Sequence, residues 1–62
     1  MKSAGLIREV ESAGWKLDRV KGSHHVFRKD GMRPIVIPHP KKDLGKGIVA
    51  AIRKAAGIKQ EV

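Results

Sequence analysis

Three strand-forming runs occupy the middle of this chain, with gaps between them too short for a crossover. Trp15 to Val20 alternates Trp15 and Leu17 with Lys16 and Asp18. His24 to Lys29 follows, and Pro34 to Ile37 is β-branched through Ile35-Val36-Ile37. Lys21-Gly22-Ser23 separates the first two runs, and Asp30-Gly31, a strong turn dipeptide, lies between the second and third. Parallel neighbours need a connection of about a dozen residues or more, so these strands are expected to pair as an antiparallel meander. Pro38-His39-Pro40 then stops the sheet, because two prolines cannot donate ladder hydrogen bonds.

Helical periodicity flanks the meander. In Ser3 to Ala13, Leu6, Val10 and Ala13 form an apolar stripe beside Ile7, with Arg8, Glu9 and Glu11 mainly outside it. Ser3 is placed as the N-cap, Gly14 at the left-handed position that ends the helix, and Gly5 weakens the first turn. Beyond the basic loop Lys41-Lys42-Asp43, Leu44, Ile48, Ala51, Ile52 and Ala55 recur at helical spacing. Gly57 is the stop, and Arg53-Lys54 suit the negative end of the helix dipole. Lys59 to Val62 is expected to fray. The order α-β-β-β-α implies an α+β fold in which both amphipathic helices cover one face of a three-stranded antiparallel sheet. The opposite face is left open, and binding chemistry is expected there.

Sixty-two residues make one domain, residues 1–62, with a core worth only ~3–5 kcal/mol. Without cysteine, neither a disulfide nor a thiolate metal site supports it. No apolar run approaches the ~18 residues of a membrane span, and Met1-Lys2-Ser3 opens without the apolar stretch of a signal peptide. The expectation is a cytoplasmic protein with no membrane association.

Charge narrows the partners. The chain carries a formal net charge of +8, and Lys16 to Lys46 holds nine basic residues against three acidic ones. So concentrated a field on so small a body favours a polyanion, nucleic acid first. Solubility alone does not require the cations to cluster around the histidines.

Gly22-Ser23-His24-His25 delivers two adjacent imidazoles onto the second strand, where neighbours point to opposite faces. Phe27, the only phenylalanine, belongs in the core, so His25 shares its face while His24, Val26 and Arg28 share the open one. A bulge at Gly22 would reverse that assignment. Adjacent strand histidines diverge, and His39 sits between two prolines in a rigid turn, so no metal site is expected. Ser23 beside His24 lacks an orienting acid. Gly45 and Gly47 do not form a phosphate loop of the Walker type, and Glu9 and Glu11 face different ways on a helix.

The chemistry that remains is RNA cleavage without a metal or other cofactor. RNA carries its own nucleophile, the 2′-hydroxyl, and an imidazole titrating near neutrality can move its proton, worth roughly 10²–10⁴-fold. Lys21, Arg28 and Lys29 can stabilise the developing negative charge. DNA has no such hydroxyl and cannot react by this route. The residues expected to meet RNA are Lys21, Gly22, Ser23, Arg28, Lys29, Lys41 and Lys42, with His24 as the catalytic candidate.

These motifs resemble a family. Gly22-Ser23-His24-His25-x-Phe27, then Ile37-Pro38-His39-Pro40-Lys41-Lys42-Asp43-Leu44 and Ile52-x-x-x-Ala56-Gly57-Ile58, are similar to the HicA messenger-RNA interferases, the toxins of HicAB toxin–antitoxin pairs. The likeness extends to Met1-Lys2-Ser3-Ala4 and Gly14-Trp15. It implies a double-stranded-RNA-binding-domain-like fold, a single catalytic histidine in the strand after the glycine turn (His24 here), and messenger RNA as substrate. It also implies a HicB-type antitoxin that covers the active surface and typically carries the DNA-binding element, so that DNA is met only through the partner. Gly45 departs from the proline or other helix starter common in the family. Two other readings compete: an RNA-binding module of the same fold that does not cleave, and a protein whose basic surface serves chiefly to meet an acidic partner.

Overall fold

Gly22 and Ser23 alone join the first two strands of the sheet. The computed structural model, which describes residues 1–58, runs α1 (Ser3–Ser12), β1 (Lys16–Lys21), β2 (His24–Arg28), β3 (Ile35–Pro38) and α2 (Lys46–Ala56). The fraying expected of Lys59 to Val62 concerns residues outside the described ones. β2 is central and pairs antiparallel with β1 and with β3, giving the α-β-β-β-α order and an open three-stranded sheet. Gly22 has φ 59° at the first position of its two-residue turn, where a type II′ hairpin needs glycine. The second connection is longer. There the Met32 amide donates to the Lys29 carbonyl at 3.0 Å around Gly31 at φ 77°, a type II arrangement.

Both helices lie on the face that presents Phe27, Ile35 and Ile37, where Leu6 and Val10 of α1 meet Trp15, Leu44 and the Val49, Ile52 and Ala56 stripe of α2. They pack mainly over β3. β1 therefore overhangs: Leu17 and Val20 point to the helical side by register, yet are 49% and 52% exposed. Burying a side chain the size of Phe27 contributes about 1.5–3 kcal/mol, so a few such residues dominate so small a core. The buried Trp15 also donates its indole N–H to the Ala56 carbonyl at 3.2 Å, satisfying an orphan acceptor at the end of α2. That end is a Schellman motif: Gly57 (φ 74°) donates to Lys54 at 3.2 Å and Ile58 to Arg53 at 2.9 Å, while Ile58 packs on the core.

Several expectations need correction. Ser3 is the first helical residue and Lys2 the N-cap, because the Ser3 hydroxyl is engaged with the loop after β3. β1 and β3 each sit one residue later than expected, and Pro38 closes β3, where an edge strand tolerates proline. Lys29 lies just beyond β2. Of the expected stripe, Leu44 and Ile52 are buried, but Leu44 precedes α2, which begins only at Lys46 after the Gly45 N-cap, and Ile48, Ala51 and Ala55 are exposed. Val49, Ile52 and Ala56 face inward, and Ile48 is 50% exposed. Both phases of this helix are apolar, and only tertiary packing chooses between them. Arg53 does not merely sit near the dipole. It spans to α1, donating from Nε and Nη2 to the two oxygens of Glu9 at 2.8 Å each.

Candidate nucleic-acid interface

One irregularity organises the open face of the sheet. The β1–β2 register shifts between Leu17 and Arg19, so Asp18 is an extra, bulged residue. Strict alternation would place Lys16, Asp18 and Val20 together. The bulge instead sets Lys16 opposite Arg28, Arg19 opposite Val26 and Lys21 opposite His24. Directly opposed residues share a face. Lys16, Arg19, Lys21, His24 and Arg28 thus gather on the side that no helix covers, with Val26 and Val36 between them. Arg28 Nε is 3.2 Å from a carboxylate oxygen of Asp18, which holds the guanidinium close to the ladder.

His24 opens β2, is exposed, and pairs with Lys21 on one side and Pro38 on the other. His25, opposite Ile37 on the helical side, is half-buried. Its Nδ1 is buried without a hydrogen-bond partner, and its ring meets the edge of the His39 ring at 4.8 Å between centroids. The turn bearing His24 is fastened from behind, for the His39 amide donates to the Ser23 carbonyl at 2.7 Å. The His39 ring is held in turn by the buried Ser3, whose hydroxyl lies 2.7 Å from Nδ1.

Not every residue expected to meet RNA lies near His24. Lys21, Gly22 and Ser23 do, through the hairpin itself. Lys41 and Lys42 are exposed on the following loop, where they line a cleft with Lys2 and His39. Arg28 lies at the far end of the ladder, and Lys29 beyond it donates to the Ala13 carbonyl at 2.7 Å, behind the end of α1. Lys16 and Arg19 were not among the expected contacts, and no signal in the run of letters marks the bulge that aligns them. Away from this face, hydrogen bonds from Arg53 hold the Glu9 carboxyl below its ordinary range, against a smaller opposing effect of burial. Among the described residues no group of three His, Cys, Asp or Glu side chains could hold a metal ion, and no helix is long and apolar enough to cross a membrane.

Comparison with known proteins places this geometry in context. Residues 4–58 match the family described as the HicA toxin of bacterial toxin–antitoxin systems. The fold is similar to a chain of a solved HicA3 and HicB3 toxin–antitoxin complex at 38% identity and TM-score 0.84, covering 98% of this chain and 100% of that one. It is also similar to a chain of a toxin–antitoxin complex from Streptococcus pneumoniae at 37% identity and TM-score 0.83, covering 94% and 98%. No match was found among curated proteins.

Proposed function

This chain belongs to the HicA toxin family of bacterial toxin–antitoxin systems, and we propose that it is a metal-independent endoribonuclease that cleaves messenger RNA with His24 as its acid/base group. The observation that carries this reading is the position of His24: exposed, at the hairpin end of the uncovered face, paired with Lys21. The imidazole takes the proton of a ribose 2′-hydroxyl. The 2′ oxygen then bonds to phosphorus as the bond to the 5′ oxygen breaks, and that departing oxygen takes up a proton. The products are a 2′,3′-cyclic phosphate and a 5′-hydroxyl. Lys21, the cross-strand partner of His24, is the cation we assign to the phosphate, where its contribution would be largest in the transition state.

The same face is the surface we assign to a HicB-type antitoxin. The similar solved chains come from toxin–antitoxin complexes. An acidic partner seated on Lys16, Arg19, Lys21 and Arg28 would exclude RNA by occupying its charge sites. DNA would be met only through that partner, and the site of action is the cytoplasm, where messenger RNA is translated.

Purified protein incubated with messenger RNA in excess EDTA is expected to yield fragments with cyclic-phosphate ends, and His24→Ala none. Intact RNA with the wild type, or equal cleavage by the variant, overturns the assignment. Tight, salt-sensitive binding without turnover would make the protein an RNA-binding module instead.

A further inference from the structure

A cleft of ≈ 600 Å³ opens at the end of the β1–β2 ladder away from His24. Lys16, Arg28, Lys29, Asp30 and Met32 line it beside Gly14, so three cations face one carboxylate. Lys29 is committed to the Ala13 carbonyl, and Arg28 is shared with Asp18. Lys16 makes no ion pair among the described residues. Met32 leaves a flexible thioether 45% exposed at the rim.

We propose that this cleft is a second nucleotide subsite, where Lys16 and Arg28 hold a backbone phosphate and Met32 packs against the neighbouring base. The inference rests on reading the open face as an RNA-cleaving surface and extends it to substrate length. His24 and Arg28 stand four steps apart on one strand, about 13 Å at the usual rise. That is roughly four nucleotides of a stacked strand, at about 3.4 Å each, and fewer when the strand is drawn out. Arg19 and the exposed Val36, the two cross-strand partners of the buried Val26, lie between the two positions, so a strand leaving His24 crosses cationic and apolar surface, and Asp18 beside it is paired with Arg28. A thioether suits a base because sulfur packs favourably against aromatic rings without demanding one orientation. A regularly spaced polyanion can engage Lys21, Arg19 and Lys16 in sequence. A folded acidic partner needs no such spacing.

The test uses non-cleavable 2′-O-methyl RNAs of about two and about eight nucleotides, bound across a range of salt concentrations. It needs no catalysis, so it can fail while His24-dependent cleavage stands, or succeed where cleavage is absent. The longer RNA should bind wild type more tightly than the shorter. Lys16→Ala should lower the slope of log affinity against log salt on the longer RNA by about 0.7, the loss of one phosphate contact, and shrink the advantage of length. Met32→Ser should weaken the longer RNA without changing that slope. Equal binding of both lengths by wild type, or an unchanged slope for Lys16→Ala, overturns the subsite. So does a Lys16→Ala variant that loses the antitoxin while keeping its RNA slope, which would assign the cleft to the protein partner.

Discussion

The Ser3 hydroxyl and His39 Nδ1, 2.7 Å apart, join the first turn of α1 to the loop that leaves β3. The same oxygen accepts the Lys41 amide at 2.8 Å, and the Ser3 amide donates to the Lys41 carbonyl at 3.0 Å. The hydroxyl's one proton has two acceptors within reach, the Lys41 carbonyl at 3.2 Å and His39 Nδ1 at 2.7 Å, and the tautomer of His39 decides between them. The His39 amide then reaches the Ser23 carbonyl in the turn that leads into His24. One buried oxygen thus couples the N-terminus to the loop that backs His24.

Ser3→Ala removes the acceptor of the Lys41 amide and the partner of His39 at once. Leaving such groups unpaired costs about 1–3 kcal/mol, a large part of the stability available to a domain of this size. Urea unfolding should show a lower midpoint at unchanged slope. A loss under about 0.5 kcal/mol, the range of an ordinary surface change, would mean that water replaces both contacts and that the clasp is incidental.

His24 and His25 are chemically identical neighbours with opposite surroundings, which makes a paired substitution informative. His24→Ala touches an exposed ring and should change stability by no more than about 0.5 kcal/mol while abolishing cleavage. His25→Ala removes a half-buried ring packed edge-on to His39 and should cost about 0.5–3 kcal/mol. Cleavage assayed well below the melting temperature should persist in the second variant. The reverse pattern would exchange the roles of the two residues.

The meander, the two helices and the faces of β2 could be read from the letters, since short glycine turns and strict alternation are local properties. His24 and His25 separate for that reason alone: Phe27 fixes the parity and the strand carries it back two residues. What could not be read depends on tertiary partners. The bulge at Asp18 reverses the parity of β1, and nothing within that run distinguishes Asp18 from its neighbours. Ser3 looks like a cap because cap-forming residues are recognised by position, whereas its partners lie in the loop after β3. The inward phase of α2 is likewise undetermined by a helix apolar on two sides, and packing against β3 and α1 selects Val49, Ile52 and Ala56.

Glu9 links stability to acidity. Its carboxyl is held low chiefly by hydrogen bonds from Arg53, so its folded value lies below its unfolded one. A group of this kind contributes stability that is full above the unfolded value and is lost as pH falls through the folded one. Glu9→Gln should therefore lower the urea midpoint near neutrality and progressively less into the acid range, where the wild-type curve descends to meet it. Parallel curves with a constant offset would show that the α1–α2 bridge acts through packing rather than ionisation.

Gly22 tests whether the turn before His24 is required for its backbone or for its emptiness. A Cβ placed there meets nothing within 4 Å, so an added methyl group has room. Its φ of 59° nevertheless lies where L residues are strained and D residues are not. Gly22→Ala should cost about 1–2 kcal/mol, whereas D-alanine at the same position, introduced by chemical synthesis, should gain about 0.4–1 kcal/mol by restricting the unfolded chain. His24 follows two residues later in the same hairpin, so the D-alanine protein should keep its cleavage rate. Equal destabilisation by both enantiomers would instead mean that RNA-free folding requires open space at this turn. The left-handed backbone would then not be what sets the angle at which His24 leaves the sheet.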